Sequence, residues 1–331
     1  MPVNPLPHIS VCICTYKRSR LLRVLLQELV RQTTNGQFTY SLVVTDNDAT
    51  GSAGEVVEEF REKHATPINF LVEPDRNIAK ARNKCVANAS GEYVAFIDDD
   101  EVPRQDWLLR LYQACETYRA SGVLGPVKPY FAVKPPDWAV KAEFFDRPNS
   151  RDYASGTLVQ PNQTGTGNTL IRRQVFDEFE VAFKPELGSG GEDIDFFRRA
   201  MDRGHRFVWS TEAVAFELIP QERARISFQL RRALLRGQGS LVSPSGRPLG
   251  VLKSIMACGW YALSLPVQLL RGRHVFLKYL VRFCDHFGKV TAFCGLKLVQ
   301  EKYVGGEPDD AVAVDQLLGT QLQEKRVAKL S

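Results

Sequence analysis

An acidic run, Asp98-Asp99-Asp100-Glu101, directly follows the apolar segment 93–97. Carboxylates crowded at the end of a strand raise one another's pKa unless a cation neutralises them. Mg²⁺ or Mn²⁺ held by one or two carboxylates and a diphosphate is a common solution. Because alternate residues of an extended backbone point the same way, we predict that Asp98 and Asp100 share a cation while Asp99 faces elsewhere. An acidic turn in water is the simpler alternative.

A second acidic pair, Glu192-Asp193, follows Gly190-Gly191 where a helical pattern begins. A carboxylate in the first turn of a helix is often only a cap. A general base must also be a carboxylate close to a substrate hydroxyl, and a glycine loop permits that approach. Both interpretations stay open from this pattern alone.

Asp46 ends the apolar segment 40–45 and begins a sequence, 46–51, that resembles the start of an EF-hand loop. Val57 stands where that loop requires a bidentate glutamate, and a strand precedes it, so the calcium interpretation fails. A carboxylate at a strand end suits a nucleotide base or ribose. An Asx turn through Asn47 and Asp48 is the alternative.

Two glycine-dependent nucleotide motifs are excluded. The sequence from Gly165 to Asn168 lacks the third glycine of a dinucleotide fingerprint and lies far from the first strand. The first strand ends in Thr15-Tyr16-Lys17, with no glycine-rich turn, which excludes a phosphate loop there.

Strand and helix patterns alternate over the first hundred residues. Apolar segments at 9–15, 40–45, 68–72 and 93–97 are separated by amphipathic helical stretches. This order predicts an α/β fold with a doubly wound, mostly parallel sheet flanked by helices. Ligands of such sheets bind beyond the carboxyl ends of the strands, where Thr15, Asp46 and Asp98 all fall.

The remaining chain divides by composition. We predict a nucleotide-binding half at 1–105, a half of the same domain at 106–220 that shapes the pocket of a second, acceptor substrate, a basic amphipathic helical region at 221–303 and a flexible tail at 304–331. The basic region carries 14 Lys or Arg against three acids, although the whole chain is only +5, too little to indicate nucleic-acid binding. Its uncharged stretch 254–270 would be about 25 Å long as a helix, which favours an interfacial element over a clean span. A buried core helix is the alternative.

Compartment signals are few. The seven cysteines form no CxxC pair, and the first ten residues lack the basic start and apolar run of a secretory signal. We therefore expect reduced thiols and a cytoplasmic protein.

The ordered set of motifs resembles the family 2 glycosyltransferases with a GT-A fold, over roughly residues 9–220, and among them bacterial exopolysaccharide enzymes of the succinoglycan type. The motifs that carry the resemblance are Cys14-Thr15-Tyr16-Lys17-Arg18, Asp46-Asn47, Asn77-x-x-x-x-Arg82-Asn83, Asp98-x-Asp100, Gly167-Asn168 and Gly191-Glu192-Asp193. The resemblance implies an inverting transfer from a UDP-sugar to a hydroxyl of a saccharide acceptor, with a divalent cation, Mg²⁺ or Mn²⁺, as cofactor.

The resemblance also implies roles for individual residues. Asp193 would be the catalytic base, and Asp98 and Asp100 would hold the metal. Donor binding would fall to Thr15, Tyr16, Arg18, Asp46, Arg82, Asp98 and Asp99. Acceptor binding would fall to Asn168 and Glu192.

One departure concerns processivity. Synthases that polymerise carry a Gln-x-x-Arg-Trp motif after the base, whereas here 221–225 reads Gln-Glu-Arg-Ala-Arg. Transfer of a single sugar is therefore favoured. The basic C-terminal region suggests a lipid-linked acceptor at an anionic membrane surface, with the enzyme peripheral or monotopic at the inner face of the cytoplasmic membrane. The alternatives are a soluble or protein acceptor, or a non-catalytic nucleotide-binding or membrane-scaffolding relative.

Overall fold

The computed structural model describes residues 5–146, 151, 153–188, 190–242, 248–296 and 298–299. They divide into two compact units: residues up to 130 with 151–218, and residues 131–146 with 219 onwards. The tail predicted at 304–331 lies outside the described residues. The division of the first unit into donor and acceptor halves stays a prediction, whereas 131–146, which we assigned to the acceptor half, belongs to the C-terminal unit.

The first unit contains a seven-stranded sheet and a three-stranded sheet. The strands are β1 (His8–Thr15), β2 (Thr39–Asp46), β3 (Ile68–Val72), β4 (Tyr93–Phe96), β5 (Glu101–Pro103), β6 (Gly122–Leu124), β7 (Val127–Tyr130), β8 (Thr169–Arg172), β9 (Phe207–Trp209) and β10 (Ala215–Leu218). The large sheet has the order β3-β2-β1-β4-β8-β6-β9, in which β8 alone is antiparallel to its neighbours. The small sheet has the order β5-β10-β7.

Helices connect these strands and form the C-terminal unit. They are α1 (Ser19–Leu29), α2 (Gly54–Lys63), α3 (Ile78–Asn88), α4 (Trp107–Thr117), α5 (Asp137–Lys141), α6 (Arg173–Asp177), α7 (Glu192–Asp202), α8 (Ile226–Gly239), α9 (Pro248–Leu270) and α10 (Arg273–Phe293). The α/β fold with a doubly wound, mixed and mostly parallel sheet is thus confirmed, as is a helical C-terminal extension.

The alternation of apolar residues along β1 explains why both faces of the sheet are covered. Ile9, Val11 and Ile13 pack into a core cluster that also holds Trp107 of α4. Cys12 points to the opposite face and joins a second cluster. Because successive side chains of a strand point to opposite sides, a strand that is apolar at every position must be buried on both.

Helix α9 buries two of its polar residues and exposes most of its apolar ones. Ser254 and Gln268 are buried, and Nδ1 of His286 on α10 lies 3.2 Å from the Ser254 hydroxyl. The exposed face is apolar and carries Leu252, Ile255, Met256, Trp260, Leu263, Val267 and Leu270. In the described part of the chain, α9 is the one helix long and apolar enough to cross a membrane by length and composition.

Asn168, which we predicted to contact an acceptor, has a structural role in the fold. It is fully buried, with φ of 57°, and its Oδ1 accepts a hydrogen bond from Trp107 Nε1 at 2.7 Å. Its Nδ2 donates to the carbonyls of Pro126 and Ala213 at 3.0 and 2.7 Å. The amide joins three chain segments and has no surface left for a substrate.

Replacing Asn168 with alanine therefore removes three buried hydrogen bonds. Trp107 Nε1 and the Ala213 carbonyl lose these partners, whereas the Pro126 carbonyl keeps a bond from the Ala215 amide at 3.1 Å. We expect Asn168→Ala to lower the free energy of unfolding by about 3 kcal/mol or more, because each orphaned buried group costs roughly 1–3 kcal/mol. Urea denaturation measures the change. The control is Gln174→Ala, at an exposed position of α6, whose free energy of unfolding should lie within about 0.5 kcal/mol of wild type. Equal stability of the two variants would contradict this role.

Candidate functional site

The carboxyl ends of β1, β2 and β4 meet at one edge of the large sheet because these strands are parallel. At that edge the Thr15 hydroxyl donates to Asp99 Oδ2 at 2.8 Å, and Arg18 Nη1 lies 2.8 Å from Asp99 Oδ1. Arg18 also lies 3.3 Å from Asp100 Oδ2. The segment after β1 and the acidic run after β4 are thus joined by ion pairs.

Thr15 and Asp99, both of which we predicted to bind a donor, are buried against each other. Burial raises the pKa of Asp99 to about 6, against the lowering effect of Arg18. Their observed role is to orient Arg18, whose side chain remains partly exposed. A donor contact by Arg18 stays a prediction.

The backbone turns at the acidic run, so the prediction that Asp98 and Asp100 point the same way from an extended strand is wrong. The amide of Glu101 donates to the Asp98 carbonyl at 3.1 Å, which closes a turn. As a result the Asp100 carboxylate faces Arg18, whereas Asp98 is directed to Arg82 at 3.5 Å. The Asp98 side chain keeps 47% of its surface exposed and is the accessible acid of the run.

Arg82 of α3 is a buried cation between two acids. Its guanidinium donates to Glu192 at the start of α7, and Asp98 lies on its other side. Burial disfavours the charged form of Arg82, but Glu192 and Asp98 outweigh that effect and raise its pKa. Glu192, which we predicted to contact an acceptor, is itself buried in this pair.

Asp193, the residue after Glu192, belongs to the same acidic group. It is partly exposed, and a Cβ placed on Gly165 would lie 3.7 Å from its Oδ2. Burial in the crevice raises the pKa of Asp98, and Arg82 opposes that shift. The negative charges of Asp100 and Asp193 raise it further, so Asp193 lies within electrostatic reach of Asp98.

Asp46, which we predicted to contact uridine, closes its own loop. It is fully buried, and its carboxylate accepts hydrogen bonds from the amides of Asp48 at 2.9 Å and Ala53 at 2.8 Å. Ser52 adds a longer bond from its hydroxyl. The Asx-turn alternative, weighed for the next residues, applies to Asp46 itself.

Tyr16 is partly exposed beside two cations, of which sequence reasoning missed one. Arg76 lies 5.0 Å from the centroid of the Tyr16 ring and Lys17 lies 5.5 Å from it. An aromatic face with adjacent cations can stack on a base and attract phosphate. The signal for Arg76 was its position just after β3, at the same edge of the sheet.

The last acid of the run, Glu101, is buried beside a further acid, Glu217, which sequence reasoning missed. Glu101 on β5 pairs in register with Glu217 on β10. Burial raises the pKa of Glu101 well above its usual range, and the charges of Asp98 and Asp100 add to that effect. A Cβ on Gly167 would lie only 2.4 Å from Glu101 Oε1, so this glycine permits the close approach.

The acids fit a divalent cation that completes its coordination with other ligands. Among the described residues, no group of three His, Cys, Asp or Glu side chains could hold a metal ion alone. Mg²⁺ and similar ions commonly use one or two carboxylates together with phosphates and water. The exposed carboxylate of Asp98, in a crevice crowded with further acids, is that kind of ligand. Asp100 is closer to Arg18 and is the weaker candidate.

Comparison with known proteins gives the family. Residues 10–179 match the family model for glycosyl transferase family 2. The succinoglycan biosynthesis protein ExoM of Rhizobium meliloti is 32% identical over 310 residues, which is 90% of this chain and 96% of that protein.

Solved structures share the fold. The mannosyltransferase PcManGT from Pyrobaculum calidifontis, in complex with GDP-Man and Mn²⁺, aligns with a TM-score of 0.57 at 17% identity, covering 88% of each chain. TarS 1–349 from S. aureus, in complex with UDP-GlcNAc, aligns with a TM-score of 0.51 at 16% identity, covering 92% of this chain and 97% of TarS 1–349. The expected GT-A fold is confirmed. The chain belongs to glycosyl transferase family 2 and is a glycosyltransferase.

Proposed function

We propose that the chain moves one sugar from a UDP-sugar to a hydroxyl of a saccharide acceptor, with inversion and with a divalent cation, in bacterial exopolysaccharide or cell-surface glycan synthesis. Three lines support this: similarity to the succinoglycan protein over nearly its whole length, a solved neighbour with UDP-GlcNAc, and another with GDP-Man and Mn²⁺. The acidic site of the first unit supplies the groups that the reaction needs.

The observation that carries the proposal is the position of two accessible acids on either side of Arg82. Asp98 is half exposed on one side, and the Glu192 pair holds the start of α7 on the other, directly before the partly exposed Asp193. One carboxylate can thus serve the leaving diphosphate through a cation, and the other can serve the incoming hydroxyl. The buried Arg82 keeps these two acids in one crevice without neutralising both.

In the proposed reaction the acceptor oxygen attacks the anomeric carbon and loses its proton to Asp193. A carboxylate suits this task because the hydroxyl becomes acidic only as the new bond forms. Attack opposite the departing diphosphate inverts the anomeric centre. When bound, the divalent cation would supply Lewis-acid stabilisation of the diphosphate, with Asp98 as its first protein ligand and Asp100 as its second. Lys17 and Arg76, beside Tyr16, add fixed positive charge at the same edge of the sheet.

We further propose that the acceptor is lipid-linked and that the outer face of α9 contacts an anionic membrane at the cytoplasmic side. Apolar side chains that face outward while Ser254 and Gln268 are buried suit hydrocarbon better than water. Lys253 lies near one end of the helix, and Arg271 and Arg273 follow the other, where they can reach lipid headgroups. Helix α9 therefore suits a monotopic attachment. The absence of the Gln-x-x-Arg-Trp motif supports transfer of a single sugar.

The role of Asp193 is tested by Asp193→Asn. We expect transfer to fall by about 10²–10⁴-fold because the amide cannot accept the proton, while UDP affinity stays within about twofold. Radiolabelled sugar transfer measures the first and calorimetry the second. Asp202→Asn, at the other end of α7, is the matched control. Turnover of Asp193→Asn at the control rate would remove Asp193 as the base.

The cation is tested through UDP binding. With Mn²⁺ present we expect Asp98→Asn or added EDTA to weaken UDP affinity about tenfold or more, because the charge that links acid and diphosphate is lost. Asp106→Asn, in an ion pair with Arg110 on α4, serves as the control. UDP affinity that is indifferent to both treatments would contradict a metal-bridged site.

Membrane attachment is tested by cosedimentation with vesicles of phosphatidylglycerol and phosphatidylcholine. We expect Leu263→Glu on α9 to reduce binding about tenfold or more, since a lost apolar contact of this size is worth roughly 1.5–3 kcal/mol. Val181→Glu, at an exposed apolar position of the first unit, should bind as wild type does. Wild-type vesicle binding by Leu263→Glu would overturn the attachment. So would a wild-type chain that forms a concentration-dependent dimer and binds no vesicles.

A further inference from the structure

We infer that Asn77 is a positioning residue for the catalytic base, acting through the segment that leads into α7. The inference rests on the proposed function, because it takes Asp193 as the base. Asn77 lies at the N-terminus of α3, and its side chain contacts a segment about a hundred residues away in sequence. It touches neither Asp193 nor the acidic run by any described contact, so its effect must pass through the intervening chain.

The amide of Asn77 has two separable functions. Its Oδ1 accepts a hydrogen bond from the Lys80 amide at 3.1 Å and so caps α3. Its Nδ2 donates to the Pro185 carbonyl at 2.9 Å. The first bond stabilises the helix to which Asn77 belongs, whereas the second holds a distant turn. A substitution that keeps the acceptor and removes the donor can therefore separate the two.

The turn held by Asn77 lies unusually close to α3. A Cβ added to Gly188 would lie 1.8 Å from Asn77 Oδ1, so only glycine permits this approach. The Ile78 amide also points to the Gly188 carbonyl at 3.4 Å. The turn that begins at Pro185 is thus fitted against the N-terminus of α3 by side-chain and backbone contacts together.

Two further links from α3 hold the same segment on either side of this turn. Asn83 exchanges two hydrogen bonds with the backbone of Phe183, at 2.7 and 2.9 Å. Arg82 holds Glu192, the first residue of α7. Since α3 holds Phe183 before the turn and Glu192 at the start of α7, these contacts set the position of Asp193 relative to α3.

Asn77 is in turn anchored to the loops that follow β2 and β3 at the carboxyl edge of the large sheet. Its backbone amide donates to Asn47 Oδ1 at 2.9 Å, and Asn47 Nδ2 donates to the Glu73 carbonyl at 2.9 Å. Asn47 follows β2, and Glu73 follows β3. The loops after these strands and the segment before α7 therefore share one anchoring point, which relates the base to the nucleotide edge of the sheet.

Displacement of a base by about 1 Å can cost about 10²-fold in rate without changing how a substrate binds. We therefore expect a loosened segment to lower kcat while leaving UDP affinity and the KM for the donor nearly unchanged. A purely structural role for Asn77 would instead lower the melting temperature and weaken UDP binding together. The split between kcat and binding distinguishes the two.

The experiment uses the full chain with Asn77→Asp, which keeps the cap oxygen for Lys80 but cannot donate to Pro185. We expect kcat to fall about 10–100-fold, with UDP affinity within about twofold and the melting temperature close to that of wild type. Gly188→Ala tests the same contact from the other side and should show the same split. Asn88→Asp, at the exposed far end of α3, is the matched control and should behave as wild type.

Wild-type kcat in Asn77→Asp would overturn the inference, as would a loss of UDP affinity equal to the loss of kcat. Failure of the proposed function has a different signature, because the wild-type chain would then transfer no sugar from any nucleotide-sugar donor. If Asn77→Asp fails to fold, Gly188→Ala decides: a reduced kcat with intact UDP binding supports the positioning role, and unchanged kcat contradicts it.

Discussion

The buried guanidinium of Arg82 is the charge on which the arrangement of the site depends. It lies on α3 between Glu192 of α7 and Asp98 of the acidic run, so it joins elements that the chain separates widely. Removing one partner of a buried ion pair leaves an uncompensated charge, which costs far more than an exposed pair contributes. The helix that carries Asp193 and the turn that carries Asp98 are consequently fixed to the same cation.

Much of the fold could be predicted because its signals are local. Runs such as 9–15 and 68–72 are apolar and β-branched, and amphipathic stretches between them repeat with a helical period. From that order follows the parallel sheet, and from the sheet follows the edge where Asp98 lies. The edge of the sheet at which Asp98 lies could therefore be predicted from the sequence, and the role of Asp193 as the base stays a prediction.

What the sequence could not predict at the site has one physical origin, which is that tertiary contacts decide what a polar side chain faces. Asp46 and Asn168 carry the same groups as ligand-binding residues, but folding directs them to backbone amides and carbonyls. Asp100 follows a turn that the strand pattern did not reveal. Glu217 could not be found at all, because its nearness to Glu101 depends on the register between β5 and β10.

The reversed direction of β8 has a consequence for how such an enzyme can diversify. The parallel strands β1, β2 and β4 bring their carboxyl ends to the edge of the sheet where Asp98 lies. The antiparallel β8 instead brings its N-terminal end there, with Gly165 beside Asp193 and Gly167 beside Glu101. The stretch before β8 therefore enters the crevice separately from the loops that follow β1, β2 and β4. Insertions or deletions in that stretch can reshape one wall of the crevice while the strands that carry Thr15 and Asp98 keep their geometry, so evolution can alter this wall by itself.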